Sequence, residues 1–431
     1  MTTGLVALCS LACNELEETI TAPRPQASVN LLQAARSARQ FKELSVDSLW
    51  LMIAAGDSSA VVGVKPPGAS RGVIKGRVGA DRNLLNRAER DLERLGLSIV
   101  ARSATLPAMR VRIDGVSQLG RLLAEPWLDY VEPAVIRGSI MPQIGCENPA
   151  YDGNQHMTWG DVTDMVPYTY ASMDIPDAWA LSSGDGVTIG LTDTGIFASN
   201  SQLTTNMTAG YSSIRTYEYL HTSNYGSAYI SDSDCSHGSR MAGSIGAPRD
   251  GTGPIGVAWG ANLVSVRHND DVATFDTWYA VQAIDMAAAR SNIVVMAWGA
   301  PDWWYNSIED AITYWHYNWD RLFIGAAGTY MGWEPYEFRN NTFFPAEVEE
   351  VVAVTAVDDP FGNLSSNAAH GPGVDIAAFA GQVSTGKGSD LTTLMGTSNA
   401  SGVTAGVAAM IWSRYPSMTR DQVRHRLSLT A

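Results

Sequence analysis

Val187-Thr188-Ile189-Gly190-Leu191-Thr192-Asp193-Thr194-Gly195 decides how the larger part of this chain folds. The run through Thr192 is short, mostly apolar and rich in β-branched residues, as the central strands of a sheet covered on both faces are. It then gives way to an acid and a turn-forming glycine. Similar runs recur at 263–266, 293–297, 322–326 and 351–354, and helical patterns at 275–290 and 308–319 lie between them. Strands alternating with helices predict an α/β fold with a doubly wound, mostly parallel sheet. Active sites in such sheets gather at the carboxyl ends of the strands, which is where Asp193 stands.

Upstream the pattern changes. Strands are predicted at 60–65, 97–101, 108–113 and 128–131, with amphipathic helices at 81–95 and 116–124. Leu84, Leu85, Ala88, Leu92 and Leu95 share one face of the first helix, and Gly96 stops it as a C-cap glycine does. The order β-α-β-β-α-β predicts a small α+β, ferredoxin-like domain over 60–137. Residues 14–59 read as a linker or tether, polar and proline-containing at first, with room for an extra strand at 46–59. Residues 138–174 read as a connecting segment, and 175–431 as the main domain.

Hydrophobic residues make up 45% of the 431 and charged residues 17%, which suits a soluble globular protein with a large core. No apolar run reaches the roughly 20 residues of a membrane span. A net charge of −15 argues against nucleic acid or an anionic membrane as partner. The charge is uneven: residues 60–137 carry 13 basic against 8 acidic side chains, and residues 138–431 carry 12 against 30. A basic block beside an acidic domain suggests two docking pieces, although two solvated surfaces would give the same counts.

The four cysteines are Cys9, Cys13, Cys146 and Cys235, with no C-x-x-C pair to suggest a zinc ribbon or thioredoxin-type site. Ser10-Leu11-Ala12-Cys13 resembles a bacterial lipoprotein cleavage box, which makes 1–13 a signal segment and Cys13 the lipidated residue. Removal of that segment leaves Cys146 and Cys235, expected to form a disulfide in an oxidising, secreted or cell-envelope setting; two separate buried thiols are the alternative.

Three residues carry the chemistry. Asp193 ends a strand. His237 opens the small-residue stretch His237-Gly238-Ser239-Arg240-Met241-Ala242-Gly243. Ser398 stands in Gly396-Thr397-Ser398-Asn399-Ala400, at the start of an apolar helix whose first N–H groups have no partner and can face a developing oxyanion. A helix-capping serine is ordinary by itself. The order Asp, His, Ser is more specific: among serine hydrolases it is the subtilisin order. An aspartic peptidase would need a second Asp-Thr-Gly or Asp-Ser-Gly, and the chain has none.

These motifs resemble those of the subtilisin-like serine peptidases over about 175–431, and residues 60–135 resemble that family's inhibitory propeptide. The resemblance implies a self-processing serine endopeptidase acting on proteins or peptides. Its triad would be Asp193, His237 and Ser398, with the propeptide as intramolecular inhibitor and chaperone. It aligns Ala297-Trp298-Gly299 with the substrate-pairing edge segment and Gly325-Ala326-Ala327-Gly328 with the opposite wall. It implies no required cofactor and no metal in the chemistry. Asp232 and Asp234 form a solvated acidic loop or, as in many relatives, part of a structural calcium site. It also implies a closing segment beyond Ala431. The chain departs from the pattern at Arg240, where a second histidine is usual, and at Asn399, Gly402 and Thr404. Thr329 replaces the asparagine whose amide would serve the oxyanion hole. A catalytically impaired relative that binds peptides is the alternative these departures suggest.

Overall fold

The computed structural model describes residues 41–69, 81–135, 146, 151, 153, 155–231, 234–272, 276–299, 305–330, 339–359 and 361–430. Cys13, the lipoprotein-like segment and Asp232 lie outside them.

Residues 41–135 form one unit. A 3-10 turn, Phe41–Glu43, leads into α1 (Val46–Ala55), where the sequence left room for a strand and a tether. The helix wins because Ser45 caps it, accepting from Ser48 N–H, and because Leu49, Met52 and Ile53 fall on one face and are buried. Then follow β1 (Ser59–Val64), α2 (Arg82–Arg94), β2 (Ser98–Arg102), β3 (Ala108–Arg112), α3 (Val116–Leu123) and β4 (Leu128–Pro133). Asp81 caps α2 through the N–H groups of Asn83 and Leu84, an arrangement worth about 1 kcal/mol. The sheet order is β2-β3-β1-β4, with every pairing antiparallel. The expected connecting segment contains a hairpin, β5 (His156–Trp159) with β6 (Val162–Pro167), and the short helices α4 (Tyr168–Ala171) and α5 (Ile175–Ala178).

The main domain is built on β7 (Thr188–Asp193). Short β8 (Ile196–Phe197) pairs with β10 (Tyr229–Ile230), and β9 (Tyr217–His221), α6 (His237–Gly246) and β11 (Asn262–Arg267) follow. Next come α7 (Thr277–Ala288), β12 (Ile293–Met296), α8 (Asn306–Trp319), β13 (Leu322–Ala326), β14 (Val351–Val357) and β15 (Ile376–Phe379). The hairpin β16 (Gln382–Thr385) with β17 (Leu391–Leu394) leads into α9 (Gly396–Arg414) and α10 (Arg420–Thr430). The seven-stranded sheet runs β15-β14-β13-β12-β7-β11-β9 with all its pairings parallel. Helices α7 and α8 pack on one face and α6 and α9 on the other, each in its own apolar cluster. From β7 the chain goes first to the edge strand β9, returns to β11, then crosses to β12 and winds outward to β15. Asp193 therefore ends the strand at the topological switch point.

The small unit lies on α7 and α8, and its core is continuous with theirs. Glu132 of β4 is fully buried, and its carboxylate accepts from the N–H groups of Asn306 and Ser307 and from the Ser307 hydroxyl, the last at 2.7 Å. An anion at a helix N-terminus satisfies donors that the α-helical ladder leaves free. Phe41 packs on Tyr305 with ring centroids 5.4 Å apart. Arg110 donates to the Tyr279 hydroxyl at 2.9 Å, and the Trp278 N–H reaches Ala134 O at 3.2 Å. Arg110, Lys65, Arg94 and Arg102 pair with acids of their own unit, namely Asp57, Asp129, Glu125 and Glu89. Apolar contact and hydrogen bonds, two of the partners being the Glu132 carboxylate and the Arg110 guanidinium, make the joint.

One carboxylate in that joint is sensitive to pH. Asp285 of α7 accepts from Trp315 Nε1 and, across the interface, from the Thr105 hydroxyl, each at 2.7 Å. Burial pushes its pKa from 3.8 up to about 6, against those two hydrogen bonds. A pKa raised by folding means that the fold favours the protonated acid. Its contribution is whole below about 3.8 and is lost as the pH rises through about 6. Asp285→Asn keeps an uncharged acceptor and donor in place. Its melting temperature relative to the parent chain should therefore rise steadily between pH 4 and pH 7. A difference that does not change with pH would contradict this account.

Candidate active site

Four strand ends and two helix starts converge on one place. Asp193 closes β7 and is 2% exposed, and His237 opens α6 and is 4% exposed. His237 Nδ1–H donates to the Asp193 carboxylate, 2.9 Å from Oδ1 and 3.0 Å from Oδ2. The Thr194 N–H adds a 2.7 Å bond to Oδ1. The Thr194 hydroxyl ties the motifs together, accepting from Gly238 N–H at 3.0 Å and donating to Cys235 O at 3.0 Å. Gly238 has to be glycine: a Cβ there would stand 2.5 Å from Gly195 O. The missing Cβ is what lets the aspartate and histidine motifs close on each other.

Arg240, one turn beyond His237, is 3% exposed and donates to Thr393 O at 3.3 Å. Burial pulls its pKa down to about 10, and the negative charge of Asp193 pushes it back up. A buried cation therefore stands within electrostatic reach of the carboxylate.

Ser398 lies in the first turn of α9, half-buried. Its hydroxyl is 3.4 Å from Ala297 O, and no hydrogen bond joins it to His237 in this structure. The aspartate and histidine are thus locked together, while the serine faces the edge segment. Helix α9 begins at Gly396, two residues before Ser398, and small and hydroxyl residues fill its first turn.

Thr329 follows β13 and is held against that turn. Its Oγ1 accepts the Thr397 N–H at 3.2 Å and lies 3.1 Å from Thr397 Oγ1. Thr397 Oγ1 in turn accepts the Gly328 N–H at 3.2 Å. Gly396, with φ at +78°, leaves the space that Thr329 occupies: a Cβ there would stand 2.6 Å from Thr329 Oγ1. Among the wall residues, Ala297 and Gly299 leave the carboxyl end of β12, Gly325 and Ala326 end β13, and Ala327 and Gly328 follow it. Trp298 turns its indole inward and is 5% exposed. Thr194 and Thr397 were not singled out in the sequence. Their only signal is a hydroxyl residue next to each catalytic-type residue.

Cys146 and Cys235 are joined in a disulfide, with Cα atoms 4.6 Å apart. Asp234, nearby, accepts from Ser231 N–H at 2.8 Å and lies 3.9 Å from Arg267. Among the described residues no cluster of three or more His, Cys, Asp or Glu side chains could hold a metal ion.

The family model described as the subtilase family matches residues 184–431. The thermostable alkaline protease of Halalkalibacterium halodurans is 33% identical over 250 residues, 58% of this chain and 63% of the relative. Subtilisin DY of Bacillus licheniformis is 30% identical over 250 residues, 58% of this chain and 84% of the relative. Among solved structures, fervidolysin from Fervidobacterium pennivorans, a keratinolytic enzyme, matches with a TM-score of 0.63 at 17% identity. That match covers 85% of this chain and 56% of the other and speaks to the fold. The chain thus spans less than two thirds of the alkaline protease's length.

The disulfide closes a loop across 89 positions and fixes the approach to His237. Cys146→Ser should lower stability by about 2–4 kcal/mol. Alkylation without reductant should leave both sulfurs unmodified and, after reduction, mark both. Labelling of either cysteine in the unreduced folded chain would contradict the bridge.

Proposed function

The chain belongs to the subtilase family, and we propose that it is a serine endopeptidase made as a self-restrained, self-processing precursor. The observation that carries this reading is the buried His237–Asp193 pair at the carboxyl end of β7, placed beside the helix that begins around Ser398. In the proposed reaction the Ser398 hydroxyl attacks a peptide carbonyl. His237, through Nε2, takes the serine proton and later gives it to the leaving amine. Asp193 holds Nδ1–H, fixing the tautomer and stabilising the imidazolium. Water then repeats the sequence on the acyl-enzyme. Ser398 must first turn from Ala297 O toward His237, a rotation about one side-chain bond. Catalytic hydrogen bonds often tighten only in the substrate complex.

The tetrahedral oxyanion would be held by the Ser398 N–H, free in the first helical turn, and by Thr329. Thr329 already accepts from Thr397, so it offers one rotatable proton on a short stem. Loss of a full oxyanion donor costs roughly 10²–10³ in kcat in subtilisin. Thr329→Asn places an amide with longer reach there and should raise kcat with little change in KM. An unchanged or lower kcat would mean that another group serves the oxyanion.

Substrate would bind as an added strand between 297–299 and 325–328, where small residues let backbone approach backbone. Residues 41–135 would act as the inhibitory and chaperoning propeptide, with the chain after Val135 entering the cleft. The disulfide supports a secreted or cell-envelope location, and Cys13 would be the lipid anchor.

A second reading, a peptide-binding relative impaired in catalysis, draws on Thr329 and on the serine turned toward Ala297. A fluorophosphonate probe decides between them. Labelling at Ser398, lost in Ser398→Ala, supports the peptidase. No labelling of a folded chain supports the impaired relative. Ser398→Ala should also accumulate as an uncleaved precursor; normal processing of that variant would assign the cut to another protease.

A further inference from the structure

The resemblance assigns Trp298 to the substrate wall, but its indole serves something behind the wall. The ring is buried, and Nε1–H donates to the Thr192 hydroxyl at 2.8 Å. Thr192 is fully buried and immediately precedes Asp193 in β7. Its own proton goes to Val295 O at 3.1 Å. The direction of both bonds is thereby fixed: indole to threonine, threonine to the backbone of β12. A hydroxyl that donates to a carbonyl and accepts from an N–H is fully used, so the arrangement has a single polarity.

Two further contacts bring the third strand in. The His268 ring meets the Trp298 ring edge to face, with centroids 5.0 Å apart and planes at 64°. The His268 N–H donates to Asp193 O at 3.1 Å. The imidazole is fully buried, with neither ring nitrogen hydrogen-bonded among the described residues. Burial pulls its pKa down to about 4, so it packs as a neutral ring. The ends of β11, β7 and β12 are therefore tied at one level, with Trp298 as the tie.

The residues flanking Trp298 show what the tie controls. Ala297 O faces the Ser398 hydroxyl at 3.4 Å. The Gly299 N–H is bound to Val272 O at 3.0 Å, and a Cβ on Gly299 would stand 2.3 Å from Phe344 O. The segment is thus gripped from the inside at its middle residue and from the far side at its last. A ring that pointed into the cleft could not provide the first of these grips.

We propose that Trp298 is a positioning residue: through Thr192 it sets the edge segment 297–299 in register with Asp193 and Ser398. Its indole touches neither substrate nor reacting atoms, although its backbone belongs to the edge that substrate would pair with. The inference rests on the peptidase reading, because the segment matters only if substrate pairs with it. Removing the indole N–H while keeping an aromatic ring should loosen the segment without disturbing the nucleophile. The loss should therefore appear in KM for substrates long enough to lie along the edge.

The test uses Trp298→Phe, Thr192→Val and the double variant of the full chain. Each single change should lower kcat/KM on an extended peptide about tenfold, mainly through KM. The loss in the double should fall well short of the product of the single losses, because both variants remove the Trp298–Thr192 bond, although Thr192→Val also removes the bond to Val295 O. Labelling of Ser398 by a small fluorophosphonate, which does not reach the edge, should stay within about twofold of the parent. If Trp298→Phe does not accumulate folded, Thr192→Val carries the same reading at nearly constant volume. An unchanged KM, multiplying losses in the double variant, or labelling that falls in step with hydrolysis would overturn the proposal. A parent chain that neither labels nor hydrolyses peptides would overturn the peptidase reading and this proposal with it.

Discussion

An aspartate and a histidine held in contact away from water set the terms for the rest of the main domain. Taking a carboxylate out of water costs several kcal/mol unless its oxygens are satisfied. Asp193 meets that requirement with the His237 ring and the Thr194 N–H. The compensation is geometric: it works only if the end of β7 and the first residue of α6 are fixed to within a few tenths of an ångström. The Thr194 hydroxyl, bonded to Gly238 on one side and Cys235 on the other, supplies that fixing. The disulfide through Cys235 extends it to the segment after the small domain.

The switch point explains why so much gathers there. β7 has neighbours on both sides, and the chain fills first one side, through β9 and β11, and then the other, from β12 onward. The ends of β11, β7, β12 and β13 then form a row, and each contributes a residue at or just past its last strand position. His268, Asp193, Ala297 and Ala327 are those residues. A helix start closes the row from each side, α6 with His237 and α9 with Ser398.

Much of this was legible in the sequence where a residue's role depends on chemistry and chain order. The central strands showed as β-branched runs, and Asp193, His237 and Ser398 showed in small-residue motifs of known order. Roles set by direction did not show. Trp298 reads as a wall residue because its backbone is in the wall; that its ring turns inward depends on Thr192, brought beside it by the β7–β12 register of Met296 on Thr192. The β9 strand escaped because an edge strand with Tyr217, Glu218 and Tyr219 lacks the apolar run of a covered one. Helix α1 escaped because its apolar residues are dense enough to suit either period, and only packing against the small sheet selects the helix.

The same distinction applies to how the two units meet. Their opposite charges invite an electrostatic account, but five described basic side chains of the small unit, Lys65, Arg94, Arg102, Arg110 and Arg112, pair with acids of that same unit. Among the contacts that cross are a buried glutamate on a helix N-terminus, an aromatic contact at Phe41, a hydroxyl on a buried aspartate and the Arg110–Tyr279 bond. Each of these falls on α7 or α8 or the turn that starts α8, and none on His237 or Ser398. If the small unit acts as the proposed propeptide, its docking would order the helices that cover one face of the sheet and, through the sheet, the strand ends. It would then assist folding of the main domain without contacting the nucleophile. Its hold on the cleft would then depend on the chain that follows Val135. Restraint and folding assistance would be separable, the first residing in the connecting chain and the second in the face that Glu132 and Phe41 engage.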